Sequence, residues 1–341
     1  MEPHAKHQVG DTPFKVPRLG MGGASLGDMH RILSEDQARA TIEAAHDAGV
    51  GYFDTSPWYG NTKSELRLGG VLRQKPRDSF VLSTKVGRVH RRPPNPDSYS
   101  HPTWAGGLAF EPRFDYTRAG VTTSFEMSAA RLGLNRIEAL LIHDLDPGHH
   151  GSSEAVDACF DQLDTGGGYA ALAELKSNGE IYAVGAGVNR TGMIAKFLER
   201  FPIDFFLVAM PYTLLDQRGL AELDLCAERG VSVVIGSPFA SGILARDAGP
   251  ETTYGYRRAN PKIIERAQRI RTVTERHGVP LGAAALQFPF GHPSVVSVIP
   301  GPVSPEEVAK NLEWICCDIP GDLWEELRAE ALVELEVPLL G

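Results

Sequence analysis

Four side chains able to hold or exchange protons sit at the ends of short apolar runs in this sequence. They are Asp54 and Tyr59 in GYFDTSPWYG, Lys85 in FVLSTKVG and His143 in ALLIHDLD. A phenol titrates at about 10 and is alone a poor acid or base near neutrality. An ammonium a few ångströms away favours the phenolate and draws it toward the working range. Asp54 would hold Lys85 charged and in place, and His143 could hydrogen-bond and orient a substrate oxygen. Such a set suits hydride transfer, in which carbon exchanges a hydride while oxygen exchanges a proton. Each residue also has a structural reading. Asp54 could cap backbone amides in a turn while Tyr59 packs on Pro57. Lys85 could reach solvent, and His143 could be a hydrogen-bonded core residue.

These residues need a scaffold that brings strand ends together. Apolar, β-rich runs recur at 17–23, 51–56, 80–87, 139–146, 181–188, 205–212, 231–239 and 295–301. Helix-periodic stretches alternate with them. SEDQARATIEAAHDAG opens on a Ser34 cap and closes on Gly49. KSELRLGGVLRQ, TSFEMSAARLGL, YAALAELKSNG, GLAELDLCAERG, the stretch from Pro261 to Gly278 and PEEVAKNLEWI follow the same logic. Alternation of this kind predicts a parallel α/β sheet closed into a (β/α)8 TIM barrel. No linker divides residues 1–341, so a single domain is expected. A doubly wound dinucleotide fold would want a glycine fingerprint after its first strand. GMGGASLG offers Gly20 and Gly22 but has Ser25 at the third position, and no helix pattern opens there. In a barrel the active site lies at the C-terminal strand ends, where all four residues would converge.

Composition narrows the class further. Lys and Arg total 34 against 43 Asp and Glu, a net charge of −9 that argues against nucleic acid or an anionic membrane as partner. The N-terminus lacks the apolar segment of a secretory signal, and no apolar run is long enough to span a bilayer. Four cysteines are scattered without a C-x-x-C pair, which suits a reducing cytoplasm. His149 and His150 have no companion ligands at zinc spacing, so a solvated loop and no metal are expected there. Nothing in the sequence specifies an oligomeric state.

Over nearly its whole length, from LGMGGASLG to VIPG, the chain resembles the aldo-keto reductases. FDTSPWYG, STKVG and LLIHDLD carry Asp54, Tyr59, Lys85 and His143 onto the family's catalytic tetrad in order. FDYTRAGV, RLGLNRIEALLIHDLD and YAVGAGVNR resemble the branch of D-threo-aldose (L-fucose-type), L-galactose 1- and pyridoxal 4-dehydrogenases. The resemblance implies NAD-dependent oxidation of a cyclic hemiacetal to its lactone, with Tyr59 taking the hydroxyl proton. A sugar such as L-fucose comes first and pyridoxal, itself largely an internal hemiacetal, second. An NADPH-dependent aldehyde or ketone reductase and a non-enzymatic barrel subunit are the competing readings.

The same resemblance implies an extended dinucleotide across the strand ends. It would contact Gly22, Gly23, Asp54, Asn189, Ser237 and Gly242, and beyond the last strand Pro300, Gly301, Glu307 and Asn311. Substrate would meet Trp58, Tyr59, His143 and Trp104. Three positions depart from the family pattern. Gly187-Val188-Asn189 replaces a Ser-Asn pair, Ala209 replaces a Gln, and Gly236 stands where an aromatic usually stacks on nicotinamide. NADP-using relatives place basic residues where Gly301 and Glu307 fall, so NAD is expected over NADP. The connection from Arg88 to Tyr116 is unusually long, and Trp104, Phe110 and Phe114 would make it a wall or lid of the pocket. A static surface loop is the alternative.

Overall fold

The computed structural model describes residues 1–29, 31–247, 252–255 and 257–340. Eight strands pair in parallel in chain order. They are β1 (Met21–Gly22), β2 (Tyr52–Asp54), β3 (Val81–Val86), β4 (Ala139–His143), β5 (Ala183–Val188), β6 (Phe205–Val208), β7 (Ser232–Ile235) and β8 (Val295–Val298). The two edges meet, because Leu19 bridges Val298 and the Gly20 and Gly22 amides donate to Val298 and Pro300 carbonyls, both at 2.9 Å. The expected barrel is the observed one.

Successive side chains along a strand face opposite ways. Tyr52, Leu141, Phe205 and Val234 fill the barrel interior, whereas Phe53, Leu140, Phe206 and Val233 belong to the larger core shared with the helices. The continuous apolar runs in the sequence follow from this two-sided burial. At the N-terminal end of the barrel, a hairpin of Lys6–Gln8 and Lys15–Pro17 acts as a floor. Its Val9, Phe14 and Val16 join the interior cluster, and Phe14 packs edge-on against Tyr52 at 5.8 Å and against Phe205 at 5.9 Å. Sequence periodicity gave no hint of this plug, since each of its strands spans only three residues.

The first helix, Glu35–Asp47, starts as expected, with Ser34 Oγ accepting from the Gln37 amide at 3.1 Å. The helix read from TSFEMSAARLGL begins earlier, at Arg118, because Thr117 caps it. Helices at Ser153–Leu163, Met193–Leu198, Leu281–Gln287 and Gly321–Ala329 were not expected. Leu281–Gln287 shows why, since every one of its residues is buried and no polar face marks a period.

The long connection after β3 is a built unit. Arg88–Arg91 pairs antiparallel with Glu111–Phe114, and the chain between them carries Trp104, only 3% exposed. Its far side is clamped to the barrel. Lys63 Nζ donates to Asp28 Oδ2 at 2.7 Å and to the Gly106 carbonyl at 2.9 Å. Arg67 binds Asp28 Oδ1 at 2.6 Å and also Glu35. Asp28 is wholly buried, and a side chain at Gly106 would lie 2.3 Å from its carboxylate.

If the hairpin is part of the cooperative core, Phe14→Ala should cost about 3–5 kcal/mol, as deletion of a buried aromatic does. Urea unfolding of the variant measures it, and an unchanged midpoint would show that the floor is dispensable.

Candidate active site

Strand register assembles the site before any loop contributes. Asp54 at the end of β2 lies opposite Ser83, Lys85 opposite Leu141, and His143 opposite Gly187. Asp54, Lys85 and His143 therefore emerge on the interior face of adjacent strands at the C-terminal mouth. Lys85 Nζ donates to Asp54 Oδ2 at 2.6 Å and to the Thr55 carbonyl at 2.7 Å. Ser83 Oγ donates to the other Asp54 oxygen at 2.7 Å and itself meets the Tyr52 hydroxyl at 3.0 Å. Burial pushes Lys85 down and Asp54 up from their ordinary values, and their mutual contact opposes both shifts.

Tyr59 reaches the same space from the loop after β2. Gly60, Asn61 and Thr62 adopt left-handed backbone at φ 66°, 50° and 82°, which turns the chain sharply into the helix Lys63–Leu72. The turn fits closely against its neighbour, since a Cβ on Gly27 would lie 2.4 Å from the Gly60 nitrogen. The Tyr59 ring centroid is 4.7 Å from Lys85 Nζ, 5.8 Å from the edge-on His143 ring and 6.0 Å from Trp104.

His143 has a defined tautomer. Its Nδ1 is 3.1 Å from Ser56 Oγ and 3.2 Å from Arg88 Nη1. A guanidinium only donates, and Ser56 Oγ already accepts from the Trp58 amide at 3.0 Å. Nδ1 is therefore the acceptor and Nε2 carries the proton. Burial holds His143 well below the usual imidazole range, and the attraction of Asp144 only partly offsets it. The ring is a neutral donor at physiological pH.

Arg88, 5% exposed, is an unexpected member of the site. Its Nη1 donates to Asp144 Oδ2 at 2.8 Å, and its guanidinium lies against Trp58 at 4.8 Å and Phe114 at 4.4 Å. Asp144 also accepts from Asn189 Nδ2 at 2.9 Å. Burial would raise Asp144, but His143, Arg88 and His149 outweigh it and hold the carboxyl below the usual range. The expected solvated loop at His149 and His150 is instead one helical turn, Pro147–His150, begun by the Asp146 cap. His149 is exposed yet bonds Asp146 at 3.0 Å, whereas half-buried His150 meets the Tyr116 hydroxyl at 3.1 Å. Asp144, Asp146 and His149 converge within 4.8 Å, but Arg88, Asn189, Arg190 and backbone amides already occupy the carboxylates.

These groups form the floor of an open cleft of about 970 Å³. Gly22, Gly23, Asn189 and Ser237 line it, and so do Trp58 and Trp104. Phe114 joins them, but Phe110 is 41% exposed and absent from the lining, which corrects its expected place at the mouth. Gly242, Pro300, Gly301, Glu307 and Asn311 do not line this cleft. Pro300 helps to close the barrel, and Asn311 borders a separate small void with Pro302 and Val308. Glu307 Oε2 accepts from the Val303 amide at 3.0 Å, and Oε1 pairs with Arg246 at 3.1 Å.

A proton-handling cluster at the C-terminal mouth of a closed parallel barrel is the architecture of a barrel oxidoreductase. The chain belongs to the aldo/keto reductase family, whose model matches residues 18–329. It is 39% identical over 337 residues to a pyridoxal 4-dehydrogenase of Microbacterium luteolum, covering 96% of this chain and 98% of the relative. A D-threo-aldose 1-dehydrogenase of Pseudomonas sp is 37% identical over 325 residues, covering 93% and 95%. Among solved structures, an aldo-keto reductase of Bacillus halodurans in its holo form matches with a TM-score of 0.75 at 26% identity, covering 98% of both chains. The chain is thus an oxidoreductase, and the reading as a non-enzymatic subunit falls.

The family uses nicotinamide cofactors, and the cleft suits one. Arg190, Arg218 and Arg257 line it, the first paired with Asp146 and the second with Asp216, with Asn189 and Ser237 as neutral polar groups. Beside it, Ala240, Ser241 and Gly242 run left-handed at φ 48°, 62° and 92°. Within this run the Ala240 and Gly242 amides donate to the Ser237 and Phe239 carbonyls at 3.0 and 2.9 Å.

The Lys63 clamp gives the wall a test. Lys63→Met should release the Gly106 segment, raising KM for substrate severalfold while leaving dinucleotide affinity unchanged. Equal effects on both ligands, read from initial rates and cofactor titration, would show that the clamp serves the fold alone.

Proposed function

We propose that this chain oxidises a cyclic hemiacetal to its lactone, with NAD as the hydride acceptor. The observation that carries the reading is the Tyr59 phenol held between the Lys85 ammonium and the His143 ring. When bound, the nicotinamide ring takes up the hydride leaving the hemiacetal carbon. Tyr59 accepts the hydroxyl proton as the carbon–oxygen double bond forms. Lys85 stabilises the negative charge on the Tyr59 oxygen before that transfer, and Asp54 and Thr55 fix the ammonium. His143 Nε2–H donates to the substrate oxygen and sets its direction. With glycine at 236, Leu207, 2.6 Å from where a Cβ there would lie, offers the apolar surface beside that position for the nicotinamide ring. Asn189, tethered to Asp144, leaves its carbonyl oxygen to receive the carboxamide.

Two hemiacetal classes suit the relatives' names, an aldose and a pyridoxal-type ring. Trp58, Trp104 and Phe114 on one wall favour the planar ring. Tyr59→Phe should lower kcat by about 10²–10⁴ with dinucleotide binding intact, as loss of a general acid–base group does. Near-normal turnover in initial-rate assays with L-fucose and pyridoxal would sink the mechanism.

The preference for NAD rests on Glu307, which repels a 2′-phosphate and also engages Arg246, a cation that could otherwise receive it. The native chain should favour NAD over NADP by at least about tenfold in kcat/KM, consistent with one unfavourable charge contact. Glu307→Arg should narrow or reverse that ratio. A native preference for NADP, or a ratio unmoved by arginine, would refute the assignment.

A further inference from the structure

We propose that Arg88 forms a substrate subsite for an ionised ring hydroxyl next to the reacting carbon. The proposal deepens the reading of the cleft as a hemiacetal site by naming the substrate's chemistry.

The two edges of the guanidinium do different things. Nη1 is committed to His143 and Asp144. Nε and Nη2 have no hydrogen-bond partner among the described residues, although the side chain is 5% exposed and lines the cleft. Those two donors are open to the cleft, and a ligand acceptor there would meet a cation whose side chain is otherwise enclosed. Its position fixes where that ligand atom lies. Arg88 touches the imidazole that faces Tyr59, so an oxygen it receives lies close to the reacting carbon.

The lining also decides what kind of oxygen fits. Asp54 and Asp144 are the carboxylates among the described cleft residues, and both are occupied, by Lys85 and Ser83 and by Arg88 and Asn189. With both carboxylates taken, an aliphatic hydroxyl would have to place its proton on a neutral acceptor and gains no charge assistance. An ionised hydroxyl only accepts, and it forms the stronger, charge-assisted bond to a guanidinium. Trp58 and Phe114, which flank the guanidinium, also line the cleft with Trp104 and offer apolar surface to a flat ring. A 3-hydroxypyridine-type ring, with its hydroxyl ortho to the hemiacetal carbon, meets all of these conditions.

The test measures binding, not turnover. Pyridoxine, whose ring hydroxyl is ionised at neutral pH, and its 3-O-methyl ether are titrated into NAD-saturated protein by calorimetry. The native chain should bind pyridoxine at least about tenfold more tightly, as expected for one charge-assisted hydrogen bond. Arg88→Met should erase the difference, and Arg88→Lys, which keeps the charge without the fork, should retain part of it. Equal affinities in the native protein, or a difference that survives Arg88→Met, would overturn the subsite. If the native protein discriminates between the probes yet oxidises no hemiacetal, the subsite stands and the proposed reaction does not.

Discussion

The buried ion pair between Lys85 and Asp54 is the constraint around which the rest of the site is arranged. Taking two such charges out of water costs several kcal/mol per ion, recovered only if every remaining donor and acceptor is met. Here Thr55 supplies a carbonyl, Ser83 a hydroxyl, and Tyr52 closes the far side of that hydroxyl. The pairing of Asp54 with Ser83 across β2 and β3 puts Lys85, two residues on, on the same inward face. A slip of one residue would turn Lys85 into the helix-facing core, so the register of two strands and the placement of one ammonium are the same fact.

A second electrostatic unit faces the first across Tyr59. Burial keeps His143 neutral, Ser56 and Arg88 fix its tautomer, and Asp144 keeps Arg88 in position. Asp144 does this from left-handed backbone at φ 52°, and Met210, Ala240 and Ser241 on the same rim are also left-handed. Such conformations cost free energy and collect where function requires a particular direction of a side chain or amide. The strands carry the reacting groups, and the strained turns just beyond them supply orientation.

Much of this was legible in the sequence because it depends on local pattern. Eight apolar runs separated by helix-periodic stretches fix the barrel, and polar residues at their ends identify Asp54, Lys85 and His143. Arg88 was not legible, because an arginine three residues past a strand lysine reads as solvated until burial is known. The floor hairpin was hidden for a different reason, its strands being too short to show a period. Phe110 and Phe114 look alike in the sequence, yet only Phe114 is paired across the hairpin from Arg88 and turned to the cleft. Glu307 has both the helix-capping role and the charge near the last strand that the sequence allowed it.

The hairpin after β3 has a consequence for how this enzyme could change substrates. Arg88 and Phe114 are partners at its base, while Trp104 sits in the clamped segment farther out. A graft of a relative's tip alone would exchange the outer wall and leave the anchor of His143 untouched. A graft taken from the base would import a foreign contact to the imidazole and strand Asp144 without its cation. The insertion is therefore two cassettes, an outer one free to drift and an inner one that travels only together with the strand end after β4.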